Sequence, residues 1–516
     1  MSTVIGLDYG TQSARAILVD TRTGEILRTH SISYPHGVIG EGFASVWDYE
    51  EVLLQLLDNV LCNARREDVV GICVDATSFT LVPLNKEEQV LCQIPEFADR
   101  KHAQIKLWKY HGAQSQAEEA LSLAKDMGEK FLGRTGGELS CEGALPKLLQ
   151  IRDEDAEIYS QIDLALDLCE FLTFRLTGKL VRSAGPMGYK GLWAKDIGFP
   201  SDAFLNGLRP GFAEEYKHLM RGEVKRACDS AGVLKSELAS KFGLKNDVVV
   251  AAGVIDGHTS MAALGALQAG DAALVLGTSN VLSIQSEQFH EIEGICGVVW
   301  EGMTPGTYAI EGGQNCTGDM LEWYIKNMMP VAVEQEAKER MVSPHQLLME
   351  QVTSPWENEV VITDWWNGSR NTPCNLNLRG AVSGLSLYTK PADIYLALLQ
   401  SIACGTREII EKCMEHGVVV NRLVVTGGMA EKNPLLMREY ASLLNRTVYV
   451  GQVSQGPALG SAIFAAVAAG IYSTPEEAYQ HMGIHNFVAY EPDREHREAY
   501  EALYKKNHAL RNVIGI

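Results

Sequence analysis

Four short stretches of this sequence carry residues that could handle a phosphate or a proton. The first is Asp8-Tyr9-Gly10-Thr11-Gln12-Ser13-Ala14-Arg15. An acid closes an apolar run, a glycine lets the backbone turn close to a ligand, and Thr11, Gln12 and Ser13 bring amides and side-chain donors for phosphate oxygens. Asp8 could hold a magnesium ion, which keeps much of its water and takes one or two carboxylates. The second stretch, Gly277-Thr278-Ser279, is a matching turn in the other half of the chain. One such turn is an ordinary polar hairpin; two in equivalent places suit a polyphosphate gripped from both sides. The third is Gly427-Gly428-Met429-Ala430-Glu431-Lys432-Asn433-Pro434. Its glycines would let a flat ring lie on bare backbone, although the same pattern serves a routine strand-to-helix turn. The fourth is Asp256, in Gly253-Val254-Ile255-Asp256-Gly257-His258. A helix starts there, so a capping carboxylate is the plain reading. The sharper reading is a base that takes a proton from a substrate hydroxyl. Phosphoryl transfer has a loose transition state and asks mainly for alignment, so a weak base suffices. His258 reads as structural.

Each stretch needs an element to hold it. Apolar patterning gives strands at 4–8, 14–20 and 25–33, a helix at 49–65 with Val52, Leu53, Leu56, Leu57 and Val60 at helical spacing, and a buried strand at 69–75. That order makes a mixed sheet with a helix on one face. In the second half a strand at 247–252 leads to Asp256, a helix follows at 259–267, and strands at 272–276 and 281–285 flank the Gly277 turn. A strand, a Gly-Thr turn and a returning strand thus occur in each half. The repetition suggests two related domains, 1–246 and 247–516, whose turns face each other across a cleft. Downstream come a long helix at 391–416 ending on Gly417, a strand at 422–426, a helix at 433–444 and a strand at 447–450. An apolar helix at 458–469 and a charged amphipathic one at 493–509 complete the reading.

Composition narrows the partners. A chain of 516 residues, 46% hydrophobic and 21% charged, should bury more than one core. Its net charge of −20 opposes a nucleic-acid partner. It does not oppose a nucleotide, because backbone amides hold phosphates locally. The 11 cysteines are scattered without a CxxC pair, which suits neither a zinc site nor a disulfide framework. They read as buried thiols in a reducing cytoplasm. The first residues form an apolar strand running into an acid, unlike a signal peptide, and no apolar stretch nears the ~20 residues of a membrane span. The expectation is a cytoplasmic protein with neither membrane nor nucleic acid as partner.

Taken in order, the stretches 8–15, 253–265, 277–279, 427–433 and 458–462 resemble the FGGY carbohydrate kinases, and the likeness extends over nearly the whole chain. It implies an α/β protein of two actin-like (ribonuclease H-like) ATPase domains, with mixed sheets flanked by helices and a cleft between them. ATP and Mg²⁺ are the implied cofactors and a small sugar the other partner. Within the family the chain is most similar to the ribulokinase branch. Pro95-Glu96-Phe97-Ala98, Leu107-Trp108-Lys109-Tyr110-His111, Gly188-Tyr189-Lys190-Gly191-Leu192-Trp193 and Asp364-Trp365-Trp366-Asn367-Gly368-Ser369-Arg370 carry that likeness.

By position, the resemblance implies that Asp256 is the catalytic base beside the sugar, that Lys190 and Glu311 contact the sugar, and that Ser78 does so through its backbone. Gly10, Thr11, Gln12, Ser13 and Arg15 match the first phosphate loop, Gly277 and Thr278 the second. Gly318, Gly427, Gly428 and Asn433 match the nucleotide side, and Asp8 the magnesium-associated acid. Lys190 supplies donors and Glu311 acceptors, and a polyol needs both. Trp108, Trp193 and Trp366 could wall the sugar or pack in the core. The implied reaction moves the ATP γ-phosphate to a ketopentose, L-ribulose at C5. D-ribulose, ribitol and xylulose stay open as acceptors, and so does a non-enzymatic actin-like ATP-binding protein. Gln12 stands where an acid is common in relatives. A homodimer is an assembly the sequence leaves open.

Overall fold

Two mixed sheets organise the computed structural model, which describes residues 2–371, 373–452 and 455–514. The first contains β1 (Thr3–Tyr9), β2 (Ser13–Asp20), β3 (Ile26–Ser33), β4 (Val69–Ala76), β5 (Ser230–Val233), β6 (Val249–Ala251) and β7 (Val254–Ile255). Its order is β5-β6-β4-β1-β2-β3, with β7 also paired to β4. Every residue of β1 is buried, as expected of a central strand covered on both faces. Alternation along it decides what covers each face. Ile5, Leu7 and Tyr9 pack with Tyr49, Val52, Leu53 and Leu56 of α1 (Trp47–Val60). Val4 points the other way, into a cluster with Ala458, Leu459 and Ala462 of a helix from far along the chain. Gly6 lies on that second face. A Cβ there would sit 1.9 Å from the Ala458 carbonyl oxygen, so only glycine admits the helix.

The second sheet contains β8 (Asp271–Leu276), β9 (Asn280–Ser286), β10 (Gly297–Trp300), β11 (Tyr308–Gly312), β12 (Arg422–Thr426), β13 (Val448–Gly451) and β14 (Phe487–Tyr490), in the order β10-β11-β9-β8-β12-β13-β14. The two sheets share a plan. In each, the first strand runs parallel to a later one (β1 with β4, β8 with β12) and antiparallel to the next (β1 with β2, β8 with β9). The repetition read from the two Gly-Thr turns is therefore present in the hydrogen-bonded topology.

Helices then position the site. They are α2 (Ala144–Glu154), α3 (Leu168–Thr177), α4 (Ala184–Tyr189), α5 (Asp256–Leu264), α6 (Gly318–Asn327), α7 (Pro391–Glu415), α8 (Gly428–Lys432), α9 (Pro434–Leu444), α10 (Gly456–Ala468) and α11 (Arg497–Ile514). The distant helix on β1 is α10. It also meets α5 so closely that a Cβ on Gly460 would lie 1.9 Å from the Thr259 carbonyl oxygen. Among the described residues no helix is long and apolar enough to cross a membrane.

Three expectations need correction. The chain does not pass to the second sheet at 246/247: β6 and β7 both pair with β4 in the first sheet, and the second opens at Asp271. An apolar strand running into Asp256 looks like the opening at Asp8, but a buried run does not say which sheet it joins. The helix expected at 49–65 stops at Val60, and Asn63 beyond it takes a left-handed φ of 57°. The last helix starts at Arg497 rather than 493, because Asp493 turns its carboxylate back to the Glu495 and His496 amides.

Candidate active site

Strand register gathers three carboxylates at one edge of the first sheet. Asp8, near the end of β1, has Arg15 opposite it on β2 and Asp75 opposite it on β4. Val254 of β7 is paired with Asp75, so Asp256, two residues on, reaches the same edge. Arg15 Nε lies 3.1 Å from Asp8 Oδ2. Asp75 is fully buried; its Oδ2 accepts from Ser461 Oγ of α10 at 2.6 Å, while Oδ1 has no hydrogen-bond partner. Burial first, and the Asp8 charge second, push the Asp75 carboxyl far above the usual carboxylate range. Burial also raises Asp8, against the pull of Arg15.

Asp256 is the first residue of α5, but it does not cap that helix. Its Oδ1 accepts from its neighbour, the Gly257 amide, at 2.7 Å, and no side-chain cap bond forms. Burial, with Asp8 nearby, raises its carboxyl to about 6. A weak base was expected here; a carboxylate at about 6 is matched far better to taking a proton near neutral pH.

Side chains from both domains meet beside it. Lys190 follows α4, and its Nζ lies 3.0 Å from Glu142 Oε2. Glu311, on β11, accepts from His258 Nε2 at 2.5 Å. Burial acts against the Lys190 ammonium, yet Glu142 and Glu311 hold its pKa above the ordinary lysine value. Burial likewise acts against the Glu311 carboxylate, yet His258, Arg370 and Lys190 hold it below the usual range. His258 thus does more than fill space. Ser78 Oγ donates to Asp167 Oδ2 at 3.0 Å, at the start of α3.

The turns differ from expectation in one respect. Gly10 donates to the Ser13 carbonyl at 3.1 Å, closing the first hairpin around Thr11 and Gln12, and Gly277 donates to the Ser279 carbonyl at 2.9 Å, closing a tighter one around Thr278 alone. Neither glycine needs a left-handed φ. A Cβ would meet nothing nearer than Ser13 O at 3.4 Å or Ser279 O at 3.7 Å. Glycine here leaves the turn bare rather than making it possible. Thr11 Oγ1 accepts from Trp108 Nε1 at 3.0 Å, Gln12 is exposed, and Ser13 opens β2.

On the second sheet, Gly318 at the start of α6 donates to the Gly277 carbonyl at 3.0 Å, and Thr317 N donates to the Thr278 carbonyl at 2.9 Å. Gly427 follows β12, beside Leu276: its φ is 106°, and a Cβ would fall 2.2 Å from the Leu276 carbonyl oxygen. A Cβ on Gly428 would meet open space. Gly277, Thr278, Gly318, Gly427 and Gly428 therefore share one edge. Asn433 sits apart in role: its Oδ1 caps α9 by accepting from the Leu436 amide at 2.9 Å. Trp366 packs edge-on against Trp323, and Trp193 lies against the apolar cluster around Phe204 and Tyr216.

Known proteins divide the chain where the sheets do. The model of the FGGY family of carbohydrate kinases, N-terminal domain, matches residues 3–265, and that of the C-terminal domain matches 272–469. The chain belongs to the FGGY family of carbohydrate kinases. Among curated relatives, the ribulokinases of Anoxybacillus flavithermus and Halalkalibacterium halodurans are 38% and 37% identical, each over 99% of this chain and 94% of theirs. The Mycolicibacterium smegmatis ribulokinase is 38% identical over the same shares. Among solved structures, a xylulose kinase from Rhodospirillum rubrum superposes with a TM-score of 0.83 at 21% identity, covering 99% of each chain. The fold is thus the two-domain one of FGGY kinases, and the protein is an ATP-dependent sugar kinase.

Three residues beside the candidate site of this FGGY kinase are not among those the sequence singles out. Asp75 had a signal: like Asp8, it follows an apolar run. Lys147 had one too, as the lone charge within Ala144-Leu145-Pro146-Lys147-Leu148-Leu149. It is fully buried, and its Nζ donates to the Phe79 carbonyl at 2.7 Å and the Leu107 carbonyl at 2.9 Å. Those carbonyls adjoin Ser78 and Trp108. Glu142 had no local signal, since its partner stands 48 residues away.

Proposed function

We propose that this kinase transfers the γ-phosphate of ATP to a ketopentose, converting L-ribulose to L-ribulose 5-phosphate. The single observation carrying the reading is the meeting of Asp256, held at about 6, with Lys190 from one domain and Glu311 from the other. A base, a donor and an acceptor around one point are what a polyol hydroxyl requires. The ribulokinase relatives, alike over 99% of the chain, favour ribulose among the sugars.

In this reading Asp256 accepts the proton of the attacking hydroxyl as the bond to phosphorus forms, and ADP leaves. Lys190 and Glu311 orient the sugar, and the backbone beside Ser78 closes its other side. Amides and side-chain donors of Thr11, Gln12, Ser13 and Thr278 face the phosphates, where charge builds on the transferring group, and the bare Gly10 and Gly277 let the phosphates come close. Arg15 contributes its charge there once a phosphate competes with Asp8 for it. Gly318, Gly427 and Gly428 offer bare backbone to the nucleoside, and Asn433 fixes the start of α9 behind them.

Among the described residues no group of three or more acidic, histidine or cysteine side chains could hold a metal. Magnesium in kinases keeps water and phosphate oxygens and needs only one or two carboxylates. Asp8, beside the orphaned Asp75 Oδ1, fits that demand. When bound, Mg²⁺ would neutralise negative charge on the ATP phosphates during transfer. All 11 cysteines are free, the thiol state of a reducing compartment, and we assign the enzyme to the cytoplasm.

The test is ADP release from MgATP with L-ribulose, D-ribulose, ribitol, xylulose and glycerol. L-ribulose should give the highest kcat/KM. Turnover of the others with none on L-ribulose would sink the substrate assignment, and an ATPase indifferent to every polyol would sink the reaction.

A further inference from the structure

Lys190 and Glu311 carry opposite charges and lie close enough to feel one another, yet among the described residues no ion pair joins them. Each is instead tied to a partner of its own. Lys190 Nζ sits 3.0 Å from Glu142 Oε2, and Glu142 Oε1 is itself 3.3 Å from His111 Nε2. The Lys190 main chain is docked on the same segment, its carbonyl accepting from the Ala144 amide at 2.9 Å. Glu311 is held by His258, whose ring packs 4.9 Å from that of Tyr189, the residue before Lys190. The Tyr189 hydroxyl donates across the domains to the Ala309 carbonyl at 2.7 Å, two residues before Glu311.

Opposite charges in a partly desolvated pocket attract strongly. Left to themselves, an ammonium on a flexible stem and a carboxylate facing it would close the gap between them. An incoming sugar would then have to break their pair before using either. We propose that Glu142 and His258 are positioning residues that hold Lys190 and Glu311 apart, so that the acceptor pocket stays open and each group keeps its hydrogen-bonding positions for a polyol. This rests on the proposed sugar contacts of Lys190 and Glu311 and adds to them the residues that set their spacing. Glu142 balances the Lys190 charge and gives its ammonium a partner other than Glu311. His258 occupies one Glu311 oxygen and leaves the other to accept.

The test uses the full chain with the acceptor it turns over best. Glu142→Gln keeps shape and removes the charge. His258→Phe keeps the ring against Tyr189 and removes the N–H, while His258→Gln retains an N–H that can reach Glu311. Each of the first two should raise the acceptor KM about tenfold or more, the equivalent of one charge-assisted hydrogen bond. The ATP KM should stay within about twofold of the parent, and H258Q should recover part of the loss. A purely structural role would instead move Tm and both KM values together.

An unchanged acceptor KM in folded E142Q overturns the proposal, even if H258F fails to fold. So does a loss confined to kcat, which would place these groups in the chemistry. A parent enzyme inactive on every polyol would overturn the sugar-kinase reading itself, a different result from an active parent whose variants bind sugar normally.

Discussion

Replacing Lys147 by Met should leave the protein about as stable at neutral pH but change how its stability responds to pH. Lys147 has no exposed surface, and burial, with the Lys190 charge nearby, brings its ammonium down to about 7 despite the pull of Glu142. An unfolded lysine titrates near 10.4, so holding this one in the fold costs roughly 4 kcal/mol at pH 7. Against that stand two carbonyls, Phe79 and Leu107, which lose their donor in the variant. Leaving them unpaired costs about 1–3 kcal/mol each. The two effects are of the same size, and an apolar side chain in place of a buried charge is often tolerated.

The pH dependence separates them. Between pH 7 and 10 the unfolded lysine holds a proton that the native one has released, so parental stability rises with pH. The variant lacks that gain. Variant-minus-parent stability should fall by roughly 1 kcal/mol per pH unit from 7 to 9, or about 2–4 °C in Tm per unit for domains of this size. Calorimetry of both proteins at pH 7, 8 and 9 reads it directly. A Tm difference that stays constant across that range refutes the assignment of a suppressed ammonium to Lys147. Because the two carbonyls adjoin Ser78 and Trp108, the variant should also bind its sugar more weakly while ATP binding holds.

Two further outcomes follow from packing and charge. Gly460→Ala places a methyl 1.9 Å from the Thr259 carbonyl oxygen, between α10 and α5. Overpacking of that kind costs about 1–3 kcal/mol or more, so Tm should drop by several degrees (about 2–4 °C per kcal/mol), and an unchanged Tm would contradict the close helix contact. Asp256 must be ionised to accept a proton, so kcat/KM for the acceptor should fall as pH drops through about 6. An acidic limb near the reference aspartate value of about 4 would show that burial and Asp8 do not raise it.

The strands that carry the phosphate turns were legible because buried strands, turn glycines and the acids after them lie next to one another in the chain. The same locality let Asp256 and the Gly427 turn be picked out. Whatever depends on register across distant segments stayed hidden. The placement of β6 and β7 on β4, rather than in the second domain, is a pairing between residues nearly 180 apart in sequence, such as Val249 with Gly71. Asp75 became part of the site only through its register with Asp8, and Glu142 only through Lys190. His258 reads as structural from sequence because nothing within its own helix announces Glu311, 53 residues on.

Rapid-quench measurement of sugar phosphate formed by Asp256→Asn, beside the parent, tests the central claim most directly. Removing a general base typically costs about 10²–10⁴ in rate, and the amide keeps the shape of the site, so phosphoryl transfer should collapse while ATP still binds with parental affinity. Transfer near the parental rate in a folded, ATP-binding D256N protein would contradict the assignment of Asp256 as the group that takes the proton.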